Sequence, residues 1–406
     1  MTNTRSALQL TQQLALKFGG IAMVPFIFAI YFSTGLTTVL SIVLAVCWLV
    51  AAEFKNVPSI LKNQPVALWS LLLFGCFLLG LSYGDSSINE GLRMVGKYRE
   101  LFYIPLLIGL LKTPRYHNMA WRAFIAASII TLLISYLQYA GVFALNEHGD
   151  ACVKSRITHS IYISFFTYYC LHKAFQDKTH AKYYLALAVV AIYNLFFIVE
   201  GRTGQAGLLL LILLFASQRL SKKGILLTGL AIVAFMILFI TFSEKADRLH
   251  DVVKNTEAYL QPNEHPDVKA NETSMGLRYT YWKYAAKLIA EKPLLGHGTG
   301  SFAEQYKRIS VTEKHKTANP HNELLMIGVQ LGVFGMLIYL GFLAQLFKQS
   351  TNLDMENKYL AQGLLLILII TSAFNSPILD LSEGHWFVTL IALCYGAQSH
   401  QFKTPA

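Results

Sequence analysis

Three residues combine side-chain types and settings that could do chemistry on an anionic substrate: Arg202, Arg278 and His321. Arg202 lies in Glu200-Gly201-Arg202-Thr203-Gly204, a tight turn between two apolar stretches, with Thr203 placed to cap the following helix. The glycines let backbone approach a ligand closely. A helix N-terminus beside a guanidinium is a natural cradle for a diphosphate. An ion pair with Glu200 or a lipid headgroup contact accounts for the same arginine without a substrate.

Arg278 opens the segment 276–291, GLRYTYWKYAAKLIAE, which reads as a helix. Lys283, Lys287 and Glu291 are spaced four apart on one side. At about 100° per residue, Arg278, Trp282, Ala285 and Ile289 fall together on the opposite, otherwise apolar side. A guanidinium among packing residues must find an anion or carbonyls, or else snorkel to water from the helix start. His321 stands in Asn319-Pro320-His321-Asn322-Glu323, a cap-then-proline pattern that places it in the first turn of a helix. The positive end of the dipole disfavours imidazolium, so a neutral ring could accept a proton from a hydroxyl. Glu323 pulls the other way, and a purely structural histidine is the competing reading.

Other patterns carry less. Gly296-His297-Gly298-Thr299-Gly300 lacks the lysine-serine ending of a phosphate loop and reads as a tight turn after the Arg278 helix. The five cysteines form no CxxC pair and the twelve histidines no HExxH spacing, so no metal site is expected.

The elements that position these residues are membrane helices. Hydrophobic residues make up 54% of the 406 and charged residues 14%, against about 25% in soluble domains. Apolar stretches fall at roughly 18–33, 36–52, 66–82, 98–111, 120–145, 157–171, 183–199, 204–218, 224–242, 323–347, 359–376 and 385–397. The fold expected is therefore an all-α integral membrane protein of about 12 transmembrane helices. Residues 1–242 would hold spans one to nine, 243–322 a partly helical outside loop, and 323–406 the last three spans. The basic start runs into the first span without a small-residue cleavage site, so no cleavable signal peptide is expected. With the N-terminus inside, short inside segments hold sixteen lysines and arginines and short outside loops hold six. That asymmetry orients the chain with both termini cytoplasmic. The cations left outside, within a net charge of +11, suit an anionic substrate such as a lipid diphosphate better than nucleic acid.

Taken together, these pieces resemble the O-antigen ligase and polymerase superfamily. RYTYWKYAAKLIAEKPLLGHGTGSF, followed by PHNELLMIGVQLGVFGMLIYL, is similar to the family's arginine-led helix, glycine-rich turn and histidine-opened span. GRTGQAGLLLL resembles its earlier arginine–glycine turn. The resemblance implies a metal-independent, C-type membrane glycosyltransferase of the bacterial inner membrane that needs no cofactor. Its donor would be a glycan on undecaprenyl diphosphate and its acceptor the lipid A–core oligosaccharide, joined at the periplasmic face. Arg202 and Arg278 would hold the diphosphate and His321 would activate the acceptor hydroxyl. Two points depart from the family pattern: His297 stands where an aromatic or aliphatic residue is usual, and Asp380 is only a candidate for the family's acidic residue. A polymerase of the same superfamily differs in its acceptor alone. A twelve-helix secondary transporter would instead show repeated halves and polar residues at the bilayer midplane.

The orientation is testable with cysteines introduced at Asn263 and Ser221. In intact spheroplasts an impermeant thiol reagent should label the first and spare the second; the reverse pattern would overturn the sidedness.

Overall fold

A computed structural model describes residues 2–145, 150–243, 247–261, 273–310 and 317–396; Asn263 lies outside them. Among the described residues the chain is helical, with no strand. The first hairpin is α1 (Thr2–Phe32) and α2 (Thr34–Val50). A 3-10 turn (Glu53–Asn56) and α3 (Val57–Asn63) lead to α4 (Pro65–Leu79). Then come α5 (Ile88–Tyr98), α6 (Glu100–Leu110), α7 (Pro114–Tyr139), α8 (Arg156–Gln176) and α9 (Ala181–Tyr193), which a π-helical turn (Asn194–Ile198) extends. Next are α10 (Arg202–Arg219) and α11 (Lys222–Phe242). The long loop contains α12 (Asp247–Leu260), α13 (Ser274–Glu291) and α14 (Phe302–Ile309). The chain closes with α15 (Glu323–Ser350), α16 (Met355–Phe374) and α17 (Leu381–Gly396).

Every apolar stretch of the sequence falls on a helix, but the helices are not equal. Among the described residues six are long and apolar enough to cross a membrane: α1, α7, α9 with its π turn, α11, α15 and α16. A seventh is gained if α2 and the chain after it, bent by 75°, count as one span. Several apolar helices of this length make the chain a multi-pass membrane protein.

The stretch at 98–111 departs from expectation. Its helix, α6, has 11 residues, about 16 Å at 1.5 Å per residue, half of a bilayer core. It is buried along nearly its whole length, against α17 above all. α17 itself is buried from Ser382 to Gly396. A helix that is apolar all round and meets protein on every side is the axis of a bundle. At the other extreme α11 buries Phe239 alone, with Phe235 and Met236 partly buried beside it, so most of its apolar surface is left for lipid.

Hydrogen bonds tie helix ends into two groups. At one end Lys154 reaches Ser382 Oγ at 2.7 Å and Thr34 Oγ1 at 3.3 Å, Thr158 donates to Glu383, and Tyr98 donates to Glu323. At the other, Lys173 pairs with Glu356, Val66 N donates to Gln349, and Arg219 Nε donates to His172 Nδ1.

The glycine-rich turn after α13 is pressed into a gap. α15 is broken at Gly332, whose φ of 62° and ψ of −164° lie outside the helical region. The turn fills the break with backbone bonds: His297 N to Val329 O and Gly298 N to Gln330 O, both 2.8 Å, and Val333 N to Pro293 O at 2.7 Å. Gly298, at φ 86°, lies so close to the α4–α5 loop that a Cβ would sit 2.0 Å from Gly84 Cα. His297 ties the same turn to Asp85 through Nδ1 at 3.0 Å and to Leu288 O through Nε2 at 3.0 Å. This unusual histidine is thus a structural strut, and the turn is the one expected. Lys292, also bonded to Asp85, holds that carboxyl below its ordinary range.

Replacing Gly298 by alanine costs about 1–2 kcal/mol for the left-handed backbone alone, and the overlap with Gly84 adds to it. The detergent-solubilised G298A protein should therefore melt several degrees below wild type. G229A on α11, where a Cβ meets nothing within 4 Å, should not. Equal melting of G298A and wild type would contradict this packing.

Candidate functional site

α13 lies between the other loop helices and the start of α15, packed on α12, α14 and α15. Thr273 caps it, its side chain accepting from Gly276 N at 3.1 Å. Tyr281, Ala285 and Leu288 form its buried face, while Lys283 and Lys287 are exposed as their spacing predicts. Trp282 fixes the helix to the next element by donating Nε1–H to Pro320 O at 3.0 Å.

Arg278 and Arg202 line one cavity of about 470 Å³. The wall between them is built from Met236 and Ile240 of α11, Val252 and Val253 of α12, Met275 of α13 and Phe374 of α16. It is overwhelmingly apolar, and the guanidiniums are its main polar feature. Burial disfavours the charge on Arg278, and Arg202, of the same sign, adds to that. Arginine nonetheless stays protonated in proteins. Two cations facing one largely apolar cavity favour an anion there.

His321 lies beside this pair. Its φ is +54°, a left-handed conformation uncommon for a residue other than glycine and typical of functional sites. The geometry is enforced by neighbours: His321 N–H donates to Asn319 Oδ1 at 2.8 Å, and Ser376 Oγ donates to that same oxygen at 2.8 Å. The ring is nearly parallel to Tyr281, centroids 6.1 Å apart. Nδ1 lies 3.4 Å from Asn375 Oδ1. Burial, and then the charge of Arg278, lowers the pKa of His321 below the ordinary histidine value, with Asn375 partly opposing. The neutral ring expected from the sequence is therefore supported, but by a different cause.

Local geometry corrects several expectations. His321 precedes α15 rather than sitting in its first turn; the cap is Asn322, whose side chain accepts from Leu325 N at 3.0 Å. Glu323 is occupied elsewhere, accepting from Tyr98 OH at 2.8 Å and from Ile378 N at 2.9 Å. Gly201, not Thr203, is the N-cap of α10. Gly201 and Gly204 are small to admit α8 rather than a ligand, since a Cβ on either would meet Ser160 at 2.3 Å. Thr203 faces the cavity instead. Asp380 caps α17, accepting from Ser382 N and Glu383 N at 2.9 and 3.1 Å.

Sequence reasoning also missed α12. It brings Val252, Val253 and His250 to the cavity and places Asp251 where its charge bears on Arg202. Thr256 Oγ1 and Tyr259 lock it to Tyr279 of α13, at 3.1 Å and with ring centroids 5.1 Å apart. The signal was legible: Val252, Val253 and Thr256 recur at helical spacing.

Comparison with known proteins converges on the same region. Residues 186–340 match the family model of O-antigen ligase. A protein of Haemophilus influenzae with no described function is 24% identical over 306 residues, 71% of this chain and 73% of that protein. A Rickettsia conorii protein named "putative polysaccharide ligase" is 28% identical over 137 residues, 30% of this chain and 33% of its own length. A Rickettsia felis protein of the same name is 27% identical over 137 residues, again 33% of that protein. The stretch of residues 186–340 that is similar to the O-antigen ligase family model carries Arg202, Arg278 and His321.

Proposed function

We propose that this protein is an O-antigen ligase that transfers a glycan from undecaprenyl diphosphate to the lipid A–core oligosaccharide at the periplasmic face. The observation that carries the reading is the apolar cavity with Arg202 and Arg278 in its wall and His321 beside Arg278. Part of that wall is α11, most of whose surface is apolar and not buried by protein. A diphosphate at the guanidiniums would leave its polyprenyl chain along this wall, within the membrane. Few soluble ligands are shaped for such a place.

The chemistry follows from the residues. His321 accepts the proton of the acceptor hydroxyl on Nε2. The oxygen attacks the anomeric carbon of the donor, and the bond from that carbon to the diphosphate oxygen breaks. Its electron pair leaves with undecaprenyl diphosphate, and in-line attack inverts the anomeric centre. Charge developing on the leaving group is met by the two guanidiniums, which need no reorganisation to receive it. The charge on Arg278 that favours the anion also adds to the burial that disfavours protonation of His321.

We further read the twelve helices of the apolar stretches as the membrane domain of an inner-membrane protein. Both termini lie in the cytoplasm and residues 243–322 in the periplasm. The two groups of tied helix ends support this. Thr34, Tyr98, Lys154, Glu323 and Ser382 join at the end assigned outside by charge. Lys173, Arg219, Gln349 and Glu356 join at the end assigned inside.

Arg202→Ala and Arg278→Ala should each lower transfer by about 10²–10³-fold. Lysine should restore little, because it lacks the planar fork, whereas K283A should be nearly silent. H321A should lose about 10²–10⁴-fold. The wild-type rate should fall on the acid side through a group titrating below the usual histidine value of about 6.5. The assay is transfer of an undecaprenyl diphosphate-linked glycan onto purified lipid A–core by the detergent-solubilised protein. Full activity in both arginine-to-alanine proteins would remove the diphosphate site. Chain extension without transfer to lipid A–core would make the protein a polymerase instead.

A further inference from the structure

The catalytic reading of His321 requires one nitrogen of the ring to carry a lone pair toward the acceptor and the other to be held. The structure shows what holds it. His321 Nδ1 faces Asn375 Oδ1 at 3.4 Å, and Asn375 Nδ2 donates to Glu383 Oε2 at 3.2 Å. Thr158 Oγ1 donates to the other oxygen, Glu383 Oε1, at 3.0 Å. Asn375 ends α16 and Glu383 lies in the first turn of α17, 1% exposed. The loop between them is also clamped to the His321 segment through Ser376 on Asn319 and Asn322 Nδ2 on Ala373 O at 3.1 Å.

The donor and acceptor inventory makes this chain directional. Asn375 Nδ2 donates to Glu383 Oε2, and the amide therefore presents Oδ1 to the ring. That oxygen can only accept, so Nδ1 must carry the hydrogen. The neutral imidazole then has its lone pair on Nε2. We propose that Asn375, oriented by Glu383, is the positioning residue that sets the tautomer of His321 for the transfer reaction. The proposal rests on the ligase reading for its chemistry, but the direction of the hydrogen bonds does not depend on it.

The groups around the ring define what a pH measurement reads. Arg278 and Tyr281 face it from α13, Glu323 follows it in sequence, and Asn375 meets it from the α16–α17 turn. Glu383 stands behind Asn375, with Asp380 near it in turn. Of these, Asn375 touches Nδ1 and stabilises the protonated ring, while Arg278 opposes protonation. Removing Asn375 should therefore move the acid limb of the rate profile to lower pH. A carboxylate in its place should move that limb to higher pH.

The test compares wild type, N375A, the exchanged pair N375D/E383Q, and H321A. Each is assayed for transfer from an undecaprenyl diphosphate-linked glycan to purified lipid A–core across pH. In the exchanged pair the introduced glutamine can accept from Thr158 with its oxygen and donate to the introduced aspartate with its nitrogen. The chain is then rebuilt with the charge moved next to the ring. N375A should lose about tenfold or more in kcat with the donor KM unchanged, and its acid limb should shift down. N375D/E383Q should regain most of the loss, with its limb shifted up. The position of the limb does not depend on how much protein folds, so a merely structural role for Asn375 would leave it in place. N375A with wild-type kcat, or acid limbs that coincide in all three active proteins, would overturn the positioning role. H321A retaining turnover and acid limb would instead overturn the base role of His321 on which the proposal rests, whereas wild type that transfers nothing to lipid A–core would overturn the ligase reading itself.

Discussion

The arrangement depends on a backbone-to-backbone fit: the turn of residues 293–301 seated in the break of α15 at Gly332. The carbonyls of Val329 and Gln330, and the N–H groups of Val333 and Phe334, are matched by groups of the turn. Unmatched polar backbone is costly away from water, so the break and the turn need one another. Only glycine permits the approach, and the left-handed residues Gly296, Gly298, Gly300 and Gly332 all stand here. The fit fixes the C-terminal end of α13 against the middle of α15. The bond from Trp282 to Pro320 O then fixes the histidine segment against α13. Arg278 and His321, 43 residues apart in sequence, become neighbours by this route.

Electrostatics then does the chemical selection. Two guanidiniums in a mostly apolar cavity are unfavourable to one another, and an anion relieves both desolvation and repulsion. Burial, and then the charge of Arg278, disfavours protonation of the neighbouring His321 without a helix dipole. An anion at Arg278 would offset only that second contribution.

Much of this was legible in the sequence. The apolar stretches marked the helices because lipid and helix packing both demand runs of apolar residues. The side occupied by Lys283 and Lys287 followed from helical period, and the chemical types of Arg202, Arg278 and His321 singled them out. Packing between helices was not legible. Gly201 and Gly204 looked like ligand glycines, but serve the approach of α8. The stretch holding α6 looked like a span, though it is an 11-residue helix buried on α17. Thr203 and Asn319 looked like caps because both are good cap residues, while the caps used are Gly201 and Asn322. Asn375 gave no signal, since no periodicity links it to a histidine 54 residues earlier.

The central claim is that Arg202 and Arg278 together receive the diphosphate of a lipid-linked donor. The most direct measurement is an electron cryomicroscopy map of the protein in lipid nanodiscs loaded with undecaprenyl diphosphate. The account predicts diphosphate density bridging the two guanidiniums, with the prenyl chain running along Met236 and Ile240 of α11. Diphosphate density at another group of cations, with the cavity between Arg202 and Arg278 empty or filled by acyl chain alone, would contradict it.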